Sequence, residues 1–254
     1  MTLRSRAVIR PVPWRENRLL ASLPEDELRS LETHLEHVPL RSGDALCEPG
    51  EPVTHVYFPT AGIVSIVLVS DSGTNAELAV IGRDGMVGLP ALLGGHANIR
   101  AMVQVAGHAW RLPAAVARGA FAEARHFQLL SLRSFHAYAV QISQTAMCNL
   151  HHSVDQQLSR WLLMCLDRLE GDEIQMTHEF IASMLGVRRQ GVTEAMQKLE
   201  KRRIIAHSRG RITVVDRKAL EQWACECYGM VSKQIDGLLS GAVEARGKRL
   251  GRSP

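Results

Sequence analysis

The chain has 254 residues, enough for one large or two modest domains, and its 46% hydrophobic content fits a globular protein rather than a disordered one. The net charge of +4 is uneven: residues 174–254 hold 15 Lys and Arg against 8 Asp and Glu, whereas residues 1–173 hold 15 against 18. The basic C-terminal part therefore suits a polyanionic partner.

Residues 1–17 carry Pro11, Pro13 and scattered charges without a period and read as a flexible arm. The basic N-terminus is followed by no apolar h-region, so we expect no signal peptide. No apolar run approaches the roughly 20 residues of a membrane span. Leu19, Leu20, Leu23, Leu28, Leu31, Leu35 and Val38 form one apolar stripe, with Pro24 suited to a helix's first turn and Glu25, Asp26 and Glu27 to its positive end.

From Pro39 to about Pro113, short Val/Ile/Leu runs alternate with turn signals such as Ala61-Gly62 and Asp71-Ser72-Gly73. Val53–Phe58, Ile63–Val69, Ala76–Val80 and Met102–Val105 read as strands of an antiparallel β-roll or jelly roll. Helical texture returns at Ala114. Leu132, Phe135, Ala139, Ile142, Ala146 and Asn149 alternate spacings of three and four, a coiled-coil-like seam. Burial against the chain's own barrel would explain it; a homodimer axis explains it more simply, with Asn149 helping to set register. Val154, Leu158, Trp161, Leu162, Cys165, Leu166 and Leu169 form a further amphipathic helix, ended by Gly171-Asp172.

The most informative stretch is Met176 to Val215. Thr177 is placed to cap a first helix whose apolar stripe is Phe180, Ile181, Met184 and Leu185, and Gly186 makes a tight turn. Val192, Ala195, Met196 and Leu199 give a second helix its buried face. Its other face carries Arg188, Arg189, Gln190, Thr193, Glu194, Gln197 and Lys198, groups that can bond base edges or phosphates. Two short strands, Ile204–His207 and Arg211–Val215, follow, with Arg209 and Arg211 at their turn. Helix, turn, helix and basic hairpin make a winged helix-turn-helix. A helical hairpin with a solvated basic face is the plainer alternative; the base-competent helix and the hairpin behind it weigh against that. A short closing helix follows, which Val231, Ile235, Leu238 and Leu239 could extend, although Gly237 and Gly241 weaken it. Ala245 to Pro254 read as a disordered basic tail.

Five scattered cysteines, Cys47, Cys148, Cys165, Cys225 and Cys227, argue against a disulfide framework or a zinc module and fit a reducing cytoplasm. His151-His152 makes a poor chelating pair, because neighbours on a helix diverge by about 100°. Cys225-x-Cys227 suits packing or redox sensing. We expect no metal and no cofactor. No catalytic motif stands out, so an enzyme is not expected.

The runs LGVRRQGVTEAMQKLEKRRII and RGRITVVDRKALE, with the barrel run CEPGEPVTHVYFPTAGIVSIV, resemble the Crp/Fnr family of bacterial transcription regulators over roughly residues 20–228. The resemblance implies an α+β chain: a cyclic-nucleotide-binding-like β-roll sensor domain over 18–127, a dimerisation helix over 128–150, a winged helix-turn-helix over 151–228, and a C-terminal helix and tail over 229–254. It also implies a homodimer on a pseudo-palindromic operator in double-stranded DNA, with RNA polymerase as a further partner. By position, Arg189, Gln190 and Glu194 match the base-reading residues, Arg188 a phosphate or base contact, and Arg209 and Arg211 the wing's phosphate contacts. The sensor departs from the family's cyclic-nucleotide cassette. No Glu occurs between Glu77 and Glu123, and Arg100, the one candidate for the phosphate, is followed by Ala101 rather than Ser or Thr. Cyclic AMP is therefore not the expected effector. A small-molecule sensor acting mainly through protein contacts is the alternative reading.

Overall fold

The structure is a computed structural model that describes residues 14–71, 75–208 and 210–247, and only the backbone of 239–247. The arm over residues 1–13, the Ser72-Gly73 turn, Arg209 and the tail over 248–254 lie outside the described residues.

Order begins before residue 18. Trp14–Glu16 form a 3-10 turn, and Asn17 is fully buried. The Asn17 side chain caps α1 (Arg18–Ser22) by accepting from the Leu19 and Leu20 amides, and it donates to the Pro59 and Gly85 carbonyls. Residues 14–17 thus anchor the domain instead of belonging to an arm. Helix α2 (Glu25–Glu32) starts after Pro24, its N-cap, with three acidic residues in the first turn. Val38 does not continue that helix; it lies in strand β1 (Glu36–Leu40). Pro39 disfavours helical backbone at the residue before it.

Strands β2 (Ala45–Cys47), β3 (His55–Val69), β4 (Asn75–Ile81) and β5 (Arg100–Pro113) complete a five-stranded antiparallel sheet in the order β1-β5-β3-β4, with β2 also on β5. The expected strands at 53–58 and 63–69 are one strand of 15 residues. Ala61-Gly62 is a bulge between them, not a turn, since β3 keeps its pairing with β5 on both sides. Gly62 has φ +84°, and a Cβ there would meet the Val105 carbonyl oxygen at 2.5 Å. Residues of β3 then alternate between faces: Ile63 and Val67 in one apolar cluster, Val64 and Ile66 in another.

Helix α3 (Ala114–Glu123) leads to α4 (Arg125–His151), whose 27 residues span about 40 Å at 1.5 Å each. A capping box of Ser153 and Gln156 restarts the chain as α5 (Val154–Leu166). Strand β6 (Glu173–Gln175), unforeseen in the sequence, precedes α6 (His178–Leu185) and α7 (Arg189–Lys201). It pairs with β8 (Arg211–Val214), which pairs with β7 (Ile205–Ser208), so the hairpin is part of a three-stranded sheet. Helix α8 (Arg217–Trp223) is capped by Asp216. Helix α9 (Glu226–Gly247) runs 22 residues through Gly229, Gly237 and Gly241 and includes Ala245–Gly247, so the expected tail begins no earlier than residue 248. Packing on α4 sustains it: Val231 and Leu238 are buried, and Leu238 joins the cluster of Leu19, Leu20 and Phe127.

Candidate nucleic-acid interface

Helices α6 and α7 are set by local chemistry. Thr177 Oγ1 accepts from the Phe180 amide at 3.2 Å, and Gly186, at φ 66°, ends α6 in the left-handed region. Arg188 is the N-cap of α7 rather than its first residue. Val192, Ala195, Met196 and Leu199 are buried against α5 and α6, so the polar face turns to solvent.

On that face Arg188, Arg189, Gln190, Glu194, Gln197 and Lys198 are exposed. Gln190 Nε2 donates to Glu194 Oε1 at 2.9 Å, tying two of the three matched base-reading residues together. Arg189 Nε lies 3.9 Å from Glu179 Oε2, a solvated pair that holds it weakly. Lys198 Nζ is bound closer, 2.8 Å from Asp155 Oδ2. Thr193 is half-buried and turned inward. Its hydroxyl donates to the Arg189 carbonyl at 3.1 Å and lies 3.1 Å from His178 Nδ1. Burial, then the charges of His207 and Arg189, push His178 below the ordinary imidazole range. Arg211 pairs with Glu173 at 3.2 Å on the three-stranded sheet. Asp155, His178 and Glu173 were not singled out in the sequence, and Glu179 only as a first-turn acid of α6; each comes from a different element than the residue it holds.

At the other end, a cavity of about 490 Å³ lies between the sheet and α4. Ile66, Leu78, Val87 and Ile99 meet Phe135, Tyr138 and Ile142 of α4 there, with His96 and Asn98 as polar members of the wall. No charged side chain lines it among the described residues. Arg100 is not in the wall; its Nε donates to Glu48 Oε2 at 2.8 Å. No Lys or Arg among the described residues lines the cavity to meet a cyclic phosphate. Cys225 and Cys227 are buried and meet Cys148 and His152, while His151 is exposed.

Both halves match known domains. Residues 37–123 match a cyclic nucleotide-binding domain, and residues 156–223 a Crp-like helix-turn-helix domain. The chain belongs to the Crp/Fnr family. As a Crp/Fnr protein it is a DNA-binding transcription regulator and not an enzyme. It is 26% identical over 217 residues to a global nitrogen regulator of Synechococcus elongatus, covering 82% of this chain and 97% of that one. In fold it is similar to a Crp/Fnr-family regulator from Eubacterium rectale, at TM-score 0.64 and 19% identity over 81% of this chain and 96% of that one. FixK2 from Bradyrhizobium japonicum is similar too, at TM-score 0.64 and 15% identity over 75% and 98%. No helix among the described residues is long and apolar enough to cross a membrane.

Proposed function

We propose that this regulator acts as a homodimer, placing one α7 per subunit in successive major grooves of a pseudo-palindromic operator. One observation carries the dimer. Leu132, Phe135, Ala139, Ile142, Ala146 and Asn149 are all exposed along α4, while Phe127, Leu130, Ser134, Gln141 and Cys148 on its other face are buried. Phe135 is 63% and Leu132 52% exposed. A continuous apolar stripe of this kind on a packed helix marks an interaction surface, and its heptad-like spacing suits a second α4.

Within the dimer, Arg189, Gln190 and Glu194 read bases, with Gln197 beside them; Gln pairs with adenine and Glu accepts from cytosine. Arg188, Lys198, Arg209 and Arg211 meet phosphates, and Thr193 positions α7 through His178. The effector is apolar rather than a cyclic phosphate, because no Asp, Glu, Lys or Arg among the described residues lines the cavity wall. Phe135 and Ile142 belong both to that wall and to the α4 stripe, so a ligand there acts on the dimer contact itself. The operator-bound dimer meets RNA polymerase, and the compartment is the cytoplasm.

Selection of bound duplexes from a random pool tests this reading. The expected product is a two-fold motif with half-sites about one helical turn, 10 to 10.5 base pairs, apart. Enrichment of a single half-site, or none with or without cell extract, would sink it.

A further inference from the structure

The last turn of α4 and the first turn of α9 meet at the junction between the two domains. Cys148 lies in that last turn, and His152 is the residue that caps α4. Cys225 directly precedes α9 and Cys227 lies in its first turn. The three Sγ atoms and one ring nitrogen of His152 all lie within 4.8 Å of one another. Cys148 Sγ is 3.5 Å from Cys225 Sγ, and Cys227 Sγ is 3.7 Å from His152 Nδ1.

Those separations fit one ion. Zinc–sulfur bonds of about 2.3 Å and zinc–nitrogen bonds of about 2.0 to 2.1 Å put tetrahedral edges at about 3.8 Å between sulfurs and about 3.6 Å between sulfur and nitrogen. An iron–sulfur cluster distributes its four ligands over two or more iron atoms and would spread them farther. The environment supports the same conclusion. His152 Nε2 lies 3.4 Å from Glu226 Oε1, the carboxylate partner that orients a ligating imidazole whose Nδ1 faces the metal. All three cysteines are buried.

We propose that Cys148, His152, Cys225 and Cys227 form a mononuclear zinc site that clamps the end of the sensor's long helix to the start of α9. Four protein ligands close the coordination sphere, so the ion is structural rather than catalytic. Each cysteine binds as thiolate and its proton passes to solvent. His152 is followed directly by Ser153, the cap of α5, so the ion fixes the direction in which the DNA-binding domain leaves α4.

The test uses the reduced, full-length protein. It is loaded with zinc, dialysed and assayed for metal content, then exchanged with cobalt(II), whose visible absorption distinguishes tetrahedral thiolate ligation. We expect one ion per chain, intense tetrahedral cobalt bands and a Tm that rises with zinc. Cys148→Ser and Cys225→Ser should lose all three signals, and Cys47→Ser, outside the cluster, should keep them. Glu226→Gln changes a side chain that is 69% exposed and leaves the fold intact; it should weaken zinc binding by about 10- to 100-fold. Reduced wild-type protein that takes up no zinc would overturn the proposal. So would zinc retained by the Cys148→Ser/Cys225→Ser double variant, or octahedral cobalt spectra. A Cys148–Cys225 disulfide formed under mild oxidation, in protein that binds no metal when reduced, would reassign the cluster as a thiol pair.

Discussion

Trp161 donates its indole N–H to the Glu77 carboxylate at 2.7 Å, joining helix α5 of the DNA-binding domain to strand β4 of the sensor. Ser65 donates to the other carboxylate oxygen at 2.6 Å. Burial pushes Glu77 up to about 7, against the opposing pull of Ser65, Trp161, Arg160 and Arg168. The folded chain therefore holds this proton to higher pH than the unfolded chain, whose carboxyl titrates near 4.5. The stability it contributes is full below pH 4.5 and is lost as pH rises through about 7. We expect about 3 kcal/mol to disappear over that interval. Urea unfolding at stepped pH should show the fall in wild type and flatten it in Glu77→Gln; an unchanged slope in the variant would refute the assignment.

Arg168 and Asp84 make a second link across the same boundary, 2.9 Å apart with side chains 2% and 10% exposed. Removing one partner strands a buried charge, so Asp84→Ala should cost about 3 to 5 kcal/mol. Denaturant midpoints measure it, and a loss below about 1 kcal/mol would mean that water reaches Arg168.

Phe135 and Ile142 face outward, so charging them should disturb assembly and not folding. Phe135→Glu with Ile142→Glu should convert a dimer to a monomer by light scattering, with a Tm at low concentration close to the parent's. A persistent dimer would move the axis away from α4.

Among the described residues Arg189 is held by a long, solvated contact to Glu179, which leaves it able to reach a base. If it grips guanine with both nitrogens, Arg189→Ala should cost about 1 to 3 kcal/mol on the selected operator and little on random duplex. Arg211→Ala should weaken both alike and lower the salt dependence of binding by about one ion. Equal losses for Arg189→Ala on the two duplexes would place that residue on phosphate.

The stretch from Thr177 to Val214 was legible because its signals are local: a cap, a turn glycine, a period of 3.6 and two short strands. All but one of the errors, Val38, share a different cause. Ala61-Gly62 carries the same residue signal in a bulge as in a turn, and only the partner strand β5 distinguishes them. Gly229, Gly237 and Gly241 argue locally against α9, and the surface of α4 overrules them. Val38 kept the helical spacing, yet Pro39 already signalled its strand. On α7, Arg188, Arg189, Gln190, Glu194, Gln197 and Lys198 were readable as an exposed face, but the inward turn of Thr193 and the ion partner that restrains Lys198 were not, since His178 and Asp155 lie on other helices. Cys148 and Cys225 are 77 residues apart, and no spacing rule joins them.

Ile63, Val67 and Val80 of the sensor sheet share one apolar cluster with Leu162, Met184 and Val192 of the DNA-binding domain. These side chains pack directly across the boundary, so the fold sets an energetic toll on any rotation between the two domains. Wetting one buried aliphatic side chain costs about 1.5 to 3 kcal/mol. A ligand that prefers one arrangement by about 10⁴-fold supplies about 5.5 kcal/mol, enough to wet about two to four such side chains. Any rearrangement driven by one such ligand would therefore be a small slip within this packed seam, because wholesale separation of the domains exceeds what it can drive.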